Sequence, residues 1–393
     1  MEAYILDWAT LLVRWLHVIT AIAWIGASFY FVWLDNHLVP PVPPKKGVSG
    51  EIWSVHGGGF YNKQKYLVAP DQLPEKLHWF KWEAYWTFIS GFALLVLVYY
   101  FNAGAYLVDK SVADITPAAA IGISLAVILA GFAVYEGLCR SPLAKSGTAF
   151  ALVGFALVVA LAWAMSQVFG GRGAYIQVGT VLGTIMAANV LMIIIPGQRK
   201  MIASMMAGEV PDAIHGIRGK QRSMHNNYMT LPVLFIMLSN HYPMTYGHRY
   251  GWAVLAVVVI ASVMIRHFFN LHHKGRMVIA LPAGAVALFI ALAVVMAPKA
   301  PDGGGAKVAF AQVKAVMDSR CISCHAAKPT QPGFAAPPAG VILETPEQVR
   351  AQAQRIHQQV VVARVMPIGN LTGITDDERA LVGRWFAQGA TVD

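Results

Sequence analysis

Cys321-Ile322-Ser323-Cys324-His325 holds the most reactive grouping in the chain: two thiols separated by two residues, with a histidine directly after the second. This C-x-x-C-H spacing suits covalent attachment of a c-type haem. Each thiol bonds one haem vinyl group, and the adjacent imidazole is then held against the iron. A zinc half-site and a structural disulfide are the competing uses, but there is no second C-x-x-C to complete a zinc site. The other axial ligand must approach from the opposite haem face. Met366, followed by Pro367 and lying 41 residues after His325, is the best placed. A methionine opposite histidine raises the reduction potential, which suits an electron acceptor. Met317 sits one helical turn before Cys321 and is poorly placed for the far face, and His357 is a weaker third choice.

The surrounding residues predict the elements that hold this set. Ala309–Arg320 reads as an opening helix. Thr375 with Glu378 forms a capping box that starts a helix through Arg379–Gln388, where Leu381 and Trp385 share one face. The order helix, C-x-x-C-H, loop, helix, Met-Pro, helix resembles a class I cytochrome c domain.

The rest of the chain is apolar, so its polar residues stand out. Arg14 and His17 are three apart on one helix face, with His17 about 13 Å below Trp8 at 1.5 Å per residue. His17 could be an iron ligand, a substrate anchor or a proton relay; an interhelical hydrogen bond is the plainer use. For Arg14 the plainer use is snorkelling. His225-Asn226-Asn227-Tyr228 could read the edge of a polar heterocycle, or simply open a helix at the interface. Gly57-Gly58-Gly59 suggests a tight turn between short strands or a close backbone approach, with no nucleotide-binding fingerprint around it. Cys139 reads as inert.

Composition sets the frame for these residues. Of 393 residues, 56% are apolar and 13% charged, against about 25% charged in a soluble domain. Disordered, coiled-coil and disulfide-scaffold classes are excluded. Eight spans are expected, near 8–34, 84–101, 117–138, 148–169, 175–196, 225–241, 250–268 and 278–297, the sixth being interrupted by Pro232. The start of the chain carries Glu2 and Asp7 and no basic residue, so the first span is expected to be retained rather than cleaved. One set of alternate loops and adjoining span ends holds sixteen Lys and Arg; the other holds only Lys110, Arg172 and Arg249. The positive-inside rule then places both termini in the periplasm. The net charge of +10 is mainly topological, and a nucleic-acid partner is discarded. The expected fold is all-α: an eight-helix transmembrane bundle over 1–297, a Pro/Gly linker at 298–306 and a periplasmic cytochrome c domain over 307–393.

RWLHVITAIAWIGASFYFVWLDNHL, EIWSVHGGGFYNKQKYLVAPDQLPEKLHWFKWEAYW, HNNYMTLPVLFIMLSNHYP and the MDSRCISCH–VMPIGN pair together resemble the bacterial membrane-bound urate oxidases (urate hydroxylases) with a fused cytochrome c. The resemblance implies an inner-membrane enzyme of purine catabolism. It would oxidise urate to 5-hydroxyisourate with water as oxygen source, and a soluble cytochrome or terminal oxidase would lie downstream. The expected residues are His17, Arg14 and His225 for catalysis, Asn226 and Asn227 for substrate, and Cys321, Cys324, His325 and Met366 for haem c. The Leu16-His17 context also resembles the first helix of bacterial protoporphyrinogen oxidases, where such a histidine binds b-type haem. A b-type haem on His17 and another bundle histidine would bridge the roughly 30 Å hydrocarbon layer. A quinol- or partner-fed electron carrier without urate activity is the alternative reading.

Overall fold

Apolar chain in a low-dielectric layer must satisfy its backbone internally, and helices do so. The computed structural model describes residues 2–297 and 304–392, and its described residues are mostly helical. The bundle comprises α1 (Glu2–His37), α2 (Trp82–Tyr100), α3 (Pro117–Arg140), α4 (Gly147–Ser166), α5 (Gly171–Met206), α6 (Ala213–Ser239), α7 (Gly251–His272) and α8 (Ala280–Val295). Its core packs Leu95, Tyr99, Phe169, Tyr175, Val178 and Leu255. Leu129 and Leu152 point outward at 71% and 66% exposure, an arrangement that water would penalise and lipid would not. The chain is a multi-pass membrane protein by this pattern.

The expected eight spans are met in part. Among the described residues, six helices, α1 to α5 and α7, are long and apolar enough to cross. The sixth expected span is the C-terminal part of α6, which starts at Ala213 and carries a polar first half through His225. Pro232 is accommodated inside it without ending it. The eighth is apolar but only 16 residues, about 24 Å of helix. The fifth runs on to Met206 through a π-helical turn at Asn189–Ile194.

The bundle also departs from an all-α fold. Strands β1 (Val48–His56) and β2 (Gly59–Tyr66) form an antiparallel hairpin in which His56 faces Gly59. Gly57 and Gly58 both have positive φ, the requirement of a two-residue hairpin turn with matching twist.

Residues 304–392 build a separate core around Val313, Met317, Val349, Val382 and Trp385. Its helices are α9 (Phe310–Arg320), α10 (Pro346–Ala351) and α11 (Asp376–Ala387). Thr375 and Glu378 form the capping box of α11 reciprocally. Of the expected linker, 298–303 lies outside the described residues. This C-terminal unit sits on the bundle end formed by residues 102–109, 170–172 and 243–252. There Gly369 approaches so closely that a Cβ would lie 2.7 Å from the Val108 carbonyl and 2.9 Å from that of Ala105.

Candidate functional site

A cavity of about 400 Å³ opens among α1, α2, α5 and α6. Its wall contains both Arg14 and His17, so the structure brings this pair together. His17 Nδ1 lies 3.0 Å from the Thr87 carbonyl and 3.1 Å from Ser90 Oγ. A carbonyl can only accept, so the proton sits on Nδ1 and Nε2 is left as a base or ligand. Room for the ring comes from Gly91, whose Cβ would fall 2.9 Å from His17 Cε1. His241 also lines the cavity.

Arg172 supplies a cation that is better enclosed than Arg14. Arg14 is exposed on α1, whereas Arg172 is half-buried. Arg172 Nε donates to Asn240 Oδ1 at 3.0 Å and to Tyr99 Oη at 3.2 Å, and Tyr99 in turn donates to Asn240. Its guanidinium lies 4.5 Å from the Tyr106 ring centroid. Among the described residues no carboxylate pairs with it. Thr184 Oγ1, on the same wall, is buried without a partner. The cavity therefore offers positive charge and an open base. Arg172 and Asn240 also bound a second cavity of about 440 Å³, whose far wall is Met366, Pro367 and Gly369. They form the partition between the bundle interior and the C-terminal unit.

His225, Asn226 and Asn227 lie elsewhere, on none of these walls. His225 Nδ1 is 2.8 Å from Tyr135 Oη, and its ring stacks on Phe150 at 4.3 Å. Asn226 accepts from Asn189 and donates to the Met186 carbonyl. Arg222 pairs with Glu136 at 2.8 Å beside them. These contacts tie α3, α5 and α6 together, as polar side chains do between membrane helices. Asn227 accepts from Arg266 and Asn270 on α7.

In the C-terminal unit, Cys321 follows α9 and Cys324 and His325 lie on the next single turn. The two cysteines are not joined in a disulfide. Desolvation against the core pushes the Cys321 thiol up to about 12, and the same cause raises Cys324. His325 Nδ1 lies 2.9 Å from the Val341 carbonyl, which leaves Nε2 to bind a metal. Met366 packs against the same core as Cys321, and its carbonyl accepts from Arg379 at 2.8 Å. Met317 is fully buried in that core, and His357 stacks on Phe386 at 4.2 Å. Both competitors for the axial position thus have other contacts. Two thiols, an imidazole with a free Nε2 and a methionine are the donor types that a c-type haem uses. Among the described residues no group of three or more His, Cys, Asp or Glu could hold a bare metal ion.

Sequence reasoning missed Arg172, Tyr99, Asn240 and Thr184. Arg172 carried a signal, being one of three basic residues in loops otherwise depleted of them. A family model described as urate oxidase N-terminal matches residues 3–297. No curated protein and no solved structure matches the chain.

Proposed function

The chain belongs to the urate oxidase N-terminal family, and on that premise we propose that it converts urate to 5-hydroxyisourate in the bundle cavity and passes the electrons to a c-type haem on its C-terminal unit. The observation that carries this reading is the family match across the whole bundle, residues 3–297. The chemistry balances as urate anion plus water giving 5-hydroxyisourate, one proton and two electrons. Arg172, uncompensated by any described carboxylate, holds the urate anion, with Arg14 adding positive potential from the cavity rim. Asn240, on the cavity wall, reads its polar edge. His17 Nε2 takes a proton from the water that adds at C5. His225, Asn226 and Asn227 act by holding helices together, which moves the expected substrate contacts from Asn226 and Asn227 to Arg172.

A haem held by Cys321, Cys324, His325 and Met366 would supply the electron-accepting chemistry. The C-terminal unit meets the three loops depleted of Lys and Arg, which supports a periplasmic C-terminal unit of an inner-membrane protein. A soluble cytochrome or terminal oxidase then takes the electrons onward. A b-type haem between His17 and His241 is the alternative occupant of the cavity.

The test is an anaerobic visible spectrum of the purified protein before and after urate. Reduction of a c-type haem with formation of 5-hydroxyisourate supports the proposal, and loss of that response in His17→Ala with an intact haem spectrum supports the base. A separate b-type band would assign the cavity to a second haem. A dithionite-reducible haem indifferent to urate but reduced by quinol would replace the proposal with the electron-carrier reading.

A further inference from the structure

The β1–β2 hairpin ends in an apolar tip. Val55 is paired with Phe60 and Trp53 with Asn62, so strand alternation puts Trp53, Val55 and Phe60 on one side of the sheet. They are 66%, 65% and 77% exposed. The opposite side carries Ser54, Tyr61, Lys63 and Lys65 and faces α1: Lys63 Nζ lies 5.6 Å from the Tyr30 ring centroid, and Lys65 pairs with Asp35 at 2.6 Å. The apolar trio therefore looks away from α1. Such a cluster on a two-stranded ribbon is costly in water.

The contacts with α1 also fix where the tip points. Lys65 is level with Asp35 and Lys63 with Tyr30, so β2 followed from Lys65 to Gly59 runs back along α1 towards the bundle. Phe60 lies three residues beyond Lys63, about 10 Å at about 3.3 Å per residue. That equals about seven residues of α1 at 1.5 Å each, which brings the tip near the level of Trp24. Trp24 packs beside Ala84 and Tyr85 in the first turn of α2. Lys81 and the exposed Trp82 open that helix, and tryptophan with lysine at a helix end marks a membrane–water boundary. From Trp24 to His37, about 20 Å of α1 lies beyond this boundary, where Phe29 meets Arg266 and His37 meets His273. The hairpin lies beside this protruding segment, and its tip returns to the boundary.

We propose that the β1–β2 hairpin is a membrane-docking arm whose tip inserts Trp53, Val55 and Phe60 into the headgroup layer of anionic lipid beside α1. Charge on the loop selects the lipid. Residues 39–81 carry six lysines and no arginine, against Glu51, Asp71 and Glu75. Lys81 lies at the boundary and Lys63 just outside it, and among the described residues neither pairs with a carboxylate. Lysines so placed are attracted to an anionic leaflet, while the aromatic rings suit the headgroup level. The free edges of the two strands keep the arm out of the hydrocarbon, where unpaired backbone groups are not tolerated. A second copy of the chain or another protein would also cover the trio, but neither accounts for a tip that returns to the boundary between two unpaired lysines.

The experiment uses the full-length protein in lipid nanodiscs, with trifluoromethyl-phenylalanine placed by codon suppression at position 60 or at position 67. Leu67 is as exposed as Phe60 but follows the outer end of β2, so it serves as the aqueous control. Dissolved oxygen concentrates in lipid and a nickel chelate stays in water, and each relaxes the fluorine signal. Oxygen should dominate at position 60 and the chelate at position 67. Replacing part of the phosphatidylcholine by phosphatidylglycerol should raise the oxygen-to-chelate ratio at position 60, and Lys63→Gln with Lys81→Gln should remove that rise. Chelate dominance at position 60 in both lipids leaves the tip in water and overturns the docking. Protection of position 60 from both agents means that a protein surface covers it, and overturns lipid as the occupant. A ratio at position 60 that ignores phosphatidylglycerol overturns the selection of anionic lipid.

Discussion

Arg14 and Arg172 line one cavity, yet their surroundings give them different weights. Arg14 is exposed on the outer flank of α1, where it can move into solvent or headgroups. Arg172 is half-buried and fixed by Tyr99 and Asn240. A charge-assisted hydrogen bond to a fixed cation contributes about 1.5–3 kcal/mol, roughly a ten- to hundredfold change in affinity. On the proposed function, Arg172→Gln should raise the urate KM by about that factor, while Arg14→Gln should change it less than about threefold because exposed pairs are weak. Steady-state haem reduction against urate concentration measures both. Equal effects would return Arg14 to the site. The residue scale also shows the limit of reading polar positions from sequence. Arg14 and His17 were readable as a pair because helical spacing puts them on one face. His225 and Asn226 carry equally polar side chains, but their partners Tyr135, Asn189 and Met186 come from helices whose packing no local pattern specifies.

At the scale of elements, hydropathy located the six helices long and apolar enough to cross but not the true extent of α6. The first half of α6 is polar, so its pattern resembled a loop, although tertiary contacts with α5 and α7 make it helix. In the C-terminal unit the capping box at Thr375 and Glu378 was legible because it is a purely local hydrogen-bond exchange. The π-helical turn at His357–Val362 was not. That turn turns His357 onto Phe386, and burial lowers its pKa from the ordinary value of 6.5. The folded unit therefore binds fewer protons here than the unfolded chain. Its contribution to stability is present above pH 6.5 and is lost as the pH falls through the lowered pKa. The melting temperature of the C-terminal transition should drop as the pH falls below about 6.5. His357→Gln should flatten that slope, with calorimetry as the measurement. An unchanged slope would move the titration to another group.

At the scale of the whole molecule, the tight approach of the two cores has functional weight. On the proposed function, the separation between the urate cavity and the c-type haem is set by docking of the Met366–Gly369 loop on the bundle end. Neither part specifies that contact in its own sequence pattern, because Ile368-Gly369-Asn370 carry no periodicity that names a partner surface. Gly369 makes the contact possible twice over: it has a φ of 54°, and it leaves room for the carbonyls of Val108 and Ala105. A valine there is strained at positive φ and would overlap those carbonyls. On the proposed function, Gly369→Val should lift the loop away from Arg172 and slow urate-driven haem reduction. Dithionite reduction of the haem and urate binding should stay near wild type. Stopped-flow absorbance under anaerobic conditions resolves these steps. Slow reduction by both reductants would mean that the substitution damaged the haem pocket itself. Unchanged reduction by urate would mean that electrons leave the bundle by a route other than the partition formed by Arg172 and Asn240.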